Sequence, residues 1–202
     1  LVIHLAGKSG VRESGNKAIE YWLNNVEGTK RLFEYFPHTR IIYASSSSAY
    51  EPTLNPYAAT KYMCEVAARE HSNNVGMRIH TVYSDNPREG MFMDKLKKGT
   101  LKYVTNHTRD FTHIDDVLQA IKILIENNIT GIIDIGSGVS TKIEDLAPNL
   151  PVNIDTPTER QHTLADISKL KRYGYKPKHK GIKKMSGQWE GGKGDKPRKV
   201  NQ

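Results

Sequence analysis

The sequence predicts an α/β protein in which a parallel sheet carries helices on both faces. Three observations lead there. Short apolar, β-branched runs recur at Leu1–Ala6, Arg40–Ala44 and Val75–Val82. Stretches with helical spacing separate them, from about Asn16 to Tyr35 and from Pro56 to His71. Each run then empties into small or polar residues: Gly7 to Gly10, Ser45 to Ser48, and Ser84 to Gly90. Continuous apolar runs of that length mark strands buried on both sides, and alternation with helices requires right-handed crossovers within a parallel sheet.

Each element has its own signal. Ile19, Tyr21, Trp22, Val26, Leu32 and Phe33 supply the apolar faces of the first helix, and Pro37 stops it. Pro56 opens the second, at a position where a missing N–H costs nothing. Beyond Gly90 the pattern loosens. A short helix is expected near Met91–Lys97, a strand near Leu101–Val104, and a helix running to about Asn127 with Asp115 or Asp116 as its N-cap. Ile132–Ile135 reads as another buried strand, closed by Gly136 to Gly138, and Ala165–Tyr173 as a last helix.

The chain has 202 residues, 37% hydrophobic and 26% charged, enough for one core or one core with a small lobe. No run reaches the roughly 18 apolar residues of a membrane span, and no charged-then-apolar leader opens the sequence. One cysteine, Cys64, builds neither a disulfide framework nor a metal knuckle. A cytoplasmic protein with no membrane partner is the expectation. The formal net charge of +8 raises the question of an acidic partner. Much of the excess lies between Lys169 and Lys199, among Gly and Pro. A solvated tail, disordered from about Lys183 around a Trp189 anchor, is favoured over a nucleic-acid-binding arm.

Tyr57 and Lys61 stand four residues apart, hence on one helix face about a turn from each other. A cation there favours phenolate and lowers the tyrosine pKa toward the range of a general acid/base. By itself such spacing is common on surface helices. Its setting is informative, because successive strands deliver Gly7, Ser46 and Thr81 to one sheet edge, and ligands of open parallel sheets bind outside the strands' carboxyl ends. His4, His80 and His113 read as packing residues without a metal role, and Tyr43 and Tyr50 likewise as packing.

Together, Val2–Ala6, Asn25 within Asn24–Thr29, the run Tyr43–Tyr50, Tyr57–Lys61 and Arg109–Asp116 resemble the extended short-chain dehydrogenase/reductase family of NAD-dependent epimerases and dehydratases. Gly10 to Arg12, the four serines, and the spacing of Thr81, Arg88 and Met91 are most similar to its UDP-glucuronate and UDP-glucose 4-epimerases. The likeness extends to about Trp189. It implies a partial Rossmann-like, doubly wound sheet lacking the first strands, with a small C-terminal α/β substrate lobe. Residues 1–90 would be the remainder of the dinucleotide-binding domain with the catalytic helix, 91–182 the substrate lobe and sheet-completing elements, and 183–202 the basic tail.

The resemblance also implies a mechanism. Tyr57 would take the proton of a sugar hydroxyl as its carbon gives hydride to NAD, and the 4-keto sugar would turn over and receive the hydride on its other face. Lys61 would lower the Tyr57 pKa and bind the nicotinamide ribose, and Ser46 would hydrogen-bond the reacting oxygen. Ala6, Gly7, Lys8 and Asn25 fall at the family's cofactor contacts. Thr81, Arg88, Arg109 and Arg12 fall on the UDP-sugar side, where a guanidinium suits phosphate or carboxylate, with solvent exposure as the plainer alternative for the arginines.

Where the family opens with a Gly-x-x-Gly-x-x-Gly turn, no match occurs; the sequence is expected to begin at the family's fourth strand, leaving Val2 and Ile3 on an open apolar edge. Several loops are short, including the ten residues between Ser46 and Tyr57. A homodimer packed through the helices of Asn16–Tyr35 and Tyr57–His71 is expected. Two functions compete: a nucleotide-sugar epimerase or its catalytic fragment, and a truncated, non-catalytic relative serving as a binding or structural module.

Overall fold

A computed structural model describes residues 1–185 and 188–190. Its main sheet has four parallel strands in the order β1 (Val2–His4), β2 (Ile41–Ser46), β3 (Asn74–Ile79) and β7 (Gly131–Ile135). Alternation along β2 builds two cores at once. Ile41 and Tyr43 pack with Phe33, Cys64 and Ala68 on one face. Ile42 points the other way, toward Val117, Ala120 and Leu124 of α6 (Ile114–Glu126).

Ahead of β2 lie α1 (Val11–Asn16), α2 (Ala18–Tyr21), a π-helical stretch (Trp22–Glu27) and α3 (Gly28–Tyr35). Next comes α4 (Pro56–Ala67), with Pro56 in its first turn and Asn55 as N-cap, its Oδ1 accepting from Ala58 N at 2.8 Å. Ile19, Trp22, Leu23 and Tyr35 leave an exposed apolar face on the first helical run. Leu1, Ile3 and Leu5 are exposed along β1, the edge strand, while Val2 packs against the Phe33 cluster. No helix among the described residues is long and apolar enough to cross a membrane.

The apolar run Val75–Val82 is not one strand. After Ile79 the chain crosses at His80, whose N–H donates to Ile135 O, and β4 (Thr81–Tyr83) pairs parallel with β6 (Thr108–His113) in a second sheet. Uniform hydrophobicity does not report the change of partner. β6 pairs on its other side, antiparallel, with β8 (Ser140–Lys142). Around this sheet lie α5 (Phe92–Lys97), α7 (Ile143–Leu146) and the paired strands β5 (Val104–Thr105) and β9 (Val152–Asn153). Tyr83, Phe111, Met93, Val104 and Leu146 form its core.

Two further expectations change. The N-cap of α6 is His113, which accepts from Asp115 N, and neither Asp115 nor Asp116. The helix expected over Ala165–Tyr173 contracts to α8 (Ser168–Lys171), and the segment before it is held instead by the amides of Ala165 and Asp166, which donate to the carboxylates of Asp110 and Asp134. Within the segment expected to be disordered, β10 (Lys183–Met185) and β11 (Gln188–Glu190) pair antiparallel; the tail expectation for 186–187 and 191–202 lies outside the described residues.

Asp110 joins the two sheets. Fully buried, it accepts from Ser137 N (2.8 Å), Ser137 Oγ (2.7 Å), Gly138 N (2.9 Å) and Ala165 N (3.1 Å). Gly136 permits that approach, since a Cβ there would stand 2.2 Å from Ala165 Cβ and 2.7 Å from Asp110 Oδ2. Asp110→Ala strands several buried donors and is predicted to destabilise the chain by about 3 kcal/mol or more in urea unfolding. A loss below about 1 kcal/mol would show that the sheets are joined by other contacts.

Candidate active site

A cleft of about 550 Å³ opens at the carboxyl ends of β1 and β2, beside the crossing from β3 to β4. Gly7, Lys8, Ser46, Tyr57, Lys61, Thr81, Arg88 and Arg109 all line it. The structure thus brings eight of the residues singled out in the sequence to one cleft. Ala6, Asn25 and Arg12 do not line it.

Asn25 works from behind. The π-helical turn buries its amide, which accepts from Lys8 N at 2.7 Å and donates to Lys8 O and Thr60 Oγ1, both at 3.1 Å. Asn25 thereby fixes the Gly7–Lys8 backbone against α4, and its hydrogen-bonding capacity is spent within the protein. Gly7 has φ +154°, and a Cβ there would meet Asn25 Oδ1 at 3.1 Å and Lys61 Nζ at 3.4 Å. The floor of the cleft is open because glycine occupies it. Arg12 instead pairs with Glu159 at the rim, Nε to Oε1 2.9 Å.

Tyr57 is held at both ends of its residue. Its N–H donates to Ser14 Oγ at 3.1 Å, and its carbonyl accepts from Thr60 Oγ1 at 2.9 Å. The ring meets Tyr21 edge-on with centroids 6.4 Å apart, and the Tyr21 hydroxyl donates to Ser9 O at 2.9 Å. Burial pushes the Tyr57 phenol above the ordinary tyrosine value, against a smaller pull from the Ser46 hydroxyl. Lys61 does not lower it. Its ammonium, buried and itself depressed by desolvation, donates to Ala44 O at 2.8 Å. The expected drop of the tyrosine pKa is therefore absent in the free chain, where desolvation outweighs the pull of the Ser46 hydroxyl.

The serine run divides its labour. Ser46 Oγ accepts from Ser48 N at 3.1 Å and starts the 3₁₀ turn Ser47–Tyr50. Ser45 turns away, donating to Glu65 Oε1 at 2.6 Å, while Arg78 grips both oxygens of Glu65 and lies 4.0 Å from the centre of the Tyr50 ring.

Charge in the cleft is one-sided. Among the described residues, Lys8, Lys61, Arg88, Arg109 and Arg160 line it against one carboxylate, that of Glu159. Arg160 escaped the sequence reading. It reaches from a distant segment to Ser47 O (2.8 Å) and Glu51 Oε1 (2.7 Å), and no local spacing announces that approach. Arg109 is braced by Thr108 O, Gln161 O and His107 Nδ1, and Arg88 by Ser9 Oγ. Of the histidines read as packing residues, His80 lines the cleft, whereas His4 bonds Thr29 Oγ1 at 2.9 Å beneath it.

A tyrosine and lysine one helical turn apart thus line a basic cleft at the carboxyl edge of a parallel sheet, the place where ligands of open α/β sheets bind. Residues 1–136 match the NAD dependent epimerase/dehydratase family, and the chain belongs to it. Protein CapI of Staphylococcus aureus is 33% identical over 155 residues, covering 62% of this chain and 46% of that protein. The UDP-glucuronate 4-epimerase of Thermodesulfobacterium geofontis is 29% identical over 210 residues, covering 85% and 65%. The chain thus spans about half to two thirds of these relatives. A crystal structure of UDP-glucuronic acid 4-epimerase from Bacillus cereus, in complex with UDP-glucuronic acid and NAD, superposes with a TM-score of 0.76 at 30% identity, over 87% of this chain and 70% of that one.

The raised phenol can be read directly. In an ultraviolet difference titration, wild-type minus Tyr57→Phe is predicted to show one tyrosine ionising above the ordinary value of about 10. A midpoint below it would mean that Lys61 governs the group after all.

Proposed function

We propose that the cleft catalyses NAD-dependent 4-epimerisation of a UDP-sugar, a UDP-hexuronate or UDP-hexose. The observation that carries this reading is the convergence of Tyr57, Lys61 and Ser46 on one basic cleft. The residues present fit the nicotinamide end of NAD: glycine leaves the floor open at Gly7, Asn25 fixes the adjoining backbone, and Lys61 spends one of its three donors on Ala44 O. When bound there, NAD supplies the acceptor and donor of hydride.

The chain's own residues handle the proton and the substrate. Tyr57 takes the proton of the 4-hydroxyl and returns it from the phenol oxygen, with the Ser46 hydroxyl orienting the reacting oxygen. Lys61 holds the ribose hydroxyls. Arg88, Arg109 and Arg160 match a diphosphate or a sugar carboxylate, for which a guanidinium offers paired donors. Thr81 lies on the sugar side of the cleft wall. Epimerisation is favoured over dehydration because Glu159, the one carboxylate lining the cleft among the described residues, is paired with Arg12 and lies 3.8 Å from Arg109 Nη2. It is thus unsuited to supply the acid of an elimination.

Incubating the chain with NAD and UDP-glucuronate, and following the 4-epimer by proton NMR, tests the reading. Turnover is expected to rise with pH as the Tyr57 phenol approaches ionisation, and Tyr57→Phe to reduce it by about 10²-fold or more at unchanged affinity for UDP. Turnover that survives Tyr57→Phe, or none with any UDP-hexuronate or UDP-hexose, would overturn it.

A further inference from the structure

We infer that His113, Asp115 and His179 form a binding site for one divalent transition-metal ion of the zinc type, separate from the cleft. None of the three lines the cleft, and each offers a donor atom within 4.8 Å of the other two. His113 Nδ1, which would exchange the 3.3 Å bond it accepts from Asp115 N for the ion, lies 3.5 Å from Asp115 Oδ2, and His179 Nε2 lies 4.0 Å from the same oxygen. Zinc held at about 2.0–2.1 Å by two imidazoles and a carboxylate needs donor separations of roughly 3.4 Å, with a fourth position left for water. Closing the present gaps is a movement within side-chain reach. The Asp115 side chain is 63% exposed and free to turn inward.

Two observations point to a missing ligand in this cluster. His113 and His179 are both buried and lie face to face, centroids 3.9 Å apart and planes at 26°, and Nδ1 of His179 has no hydrogen-bond partner among the described residues. Buried ring nitrogens are rarely left so, because the lost hydration is not recovered. Stacked rings do not aim their lone pairs at one point, so an ion would splay them, and a turn of the His179 ring presents either nitrogen to Asp115.

The surroundings suit a cation. Asp116, almost fully buried, accepts from Lys178 N (2.7 Å) and His179 N (3.0 Å), which pins the backbone beside β6 as the outer contacts of metal ligands do. Asp85, Asp115 and Asp116 surround His113, and Lys178 and Lys180, the neighbours of His179 in sequence, are exposed. Sequence alone reads His113 as packing because His179, 66 positions on, gives no spacing signal. An ion here would tie the start of α6 to the segment around Lys178.

The test uses the full chain, freed of any tag and of metal, titrated with Zn²⁺ by calorimetry and with Co²⁺ by visible absorption. One ion per chain is expected, with the intense Co²⁺ band of a low-coordinate site. Asp115→Asn, at an exposed position that leaves the fold intact, and His179→Ala are each expected to abolish it, whereas His38→Ala, on the surface elsewhere, is expected to retain it. Absence of stoichiometric binding, or binding that survives both Asp115→Asn and His179→Ala, overturns the proposal.

Discussion

A buried ammonium must have a partner, and the active-site region is arranged around that requirement. Lys61 meets it by donating to Ala44 O at 2.8 Å, near the carboxyl end of β2. The bond ties α4 to the strand that ends in Ser46, so Tyr57 one turn earlier cannot drift from the serine run. Removing a buried charge's partner typically costs several kcal/mol, but a backbone carbonyl cannot be mutated away. Placement of the tyrosine is therefore secured by main chain.

The same logic of satisfied buried charge extends outward. Glu65 is held by Arg78 and Ser45 behind the serine run. Arg40 closes the far end of the sheet by donating to the carbonyls of Leu124, Asn127 and Ile129. Asp110 and Asp116 use main-chain amides in place of cations, and each fastens a late segment of the chain onto β6 or α6. Against this internal economy the cleft stands out, since among the described residues five basic side chains line it with one carboxylate, and only Lys8 and Arg160 find acidic partners outside it, in Glu20 and Glu51. An imbalance of that kind suits an anionic ligand.

Much of this was legible in the residues. The apolar runs at β1, β2 and β7 and the helices at α4 and α6 follow from periodicity, and the motif around Tyr57 pointed to the cleft that the folded chain forms. What escaped was whatever depends on contacts between distant segments. Nothing local marks His80 as the point where one sheet gives way to another, or Arg160 as a neighbour of Ser47. Asn25, read as a cofactor contact, stands behind the cleft against the Gly7–Lys8 backbone, and the π-helical turn that buries its amide has no sequence signature. The tyrosine pKa went astray for a physical reason: helical spacing reports the distance of Lys61 but not the desolvation that opposes it.

The most direct measurement is an NMR titration of the isotope-labelled chain with NAD and with UDP-glucuronate. If the cleft is where both ligands meet Tyr57 and Lys61, the amides of Gly7, Lys8 and Ser46–Ser48 shift together, while those of α5 and β9 stay fixed. Shifts confined to surfaces away from Gly7 and Ser46, or none at saturating ligand, would contradict it.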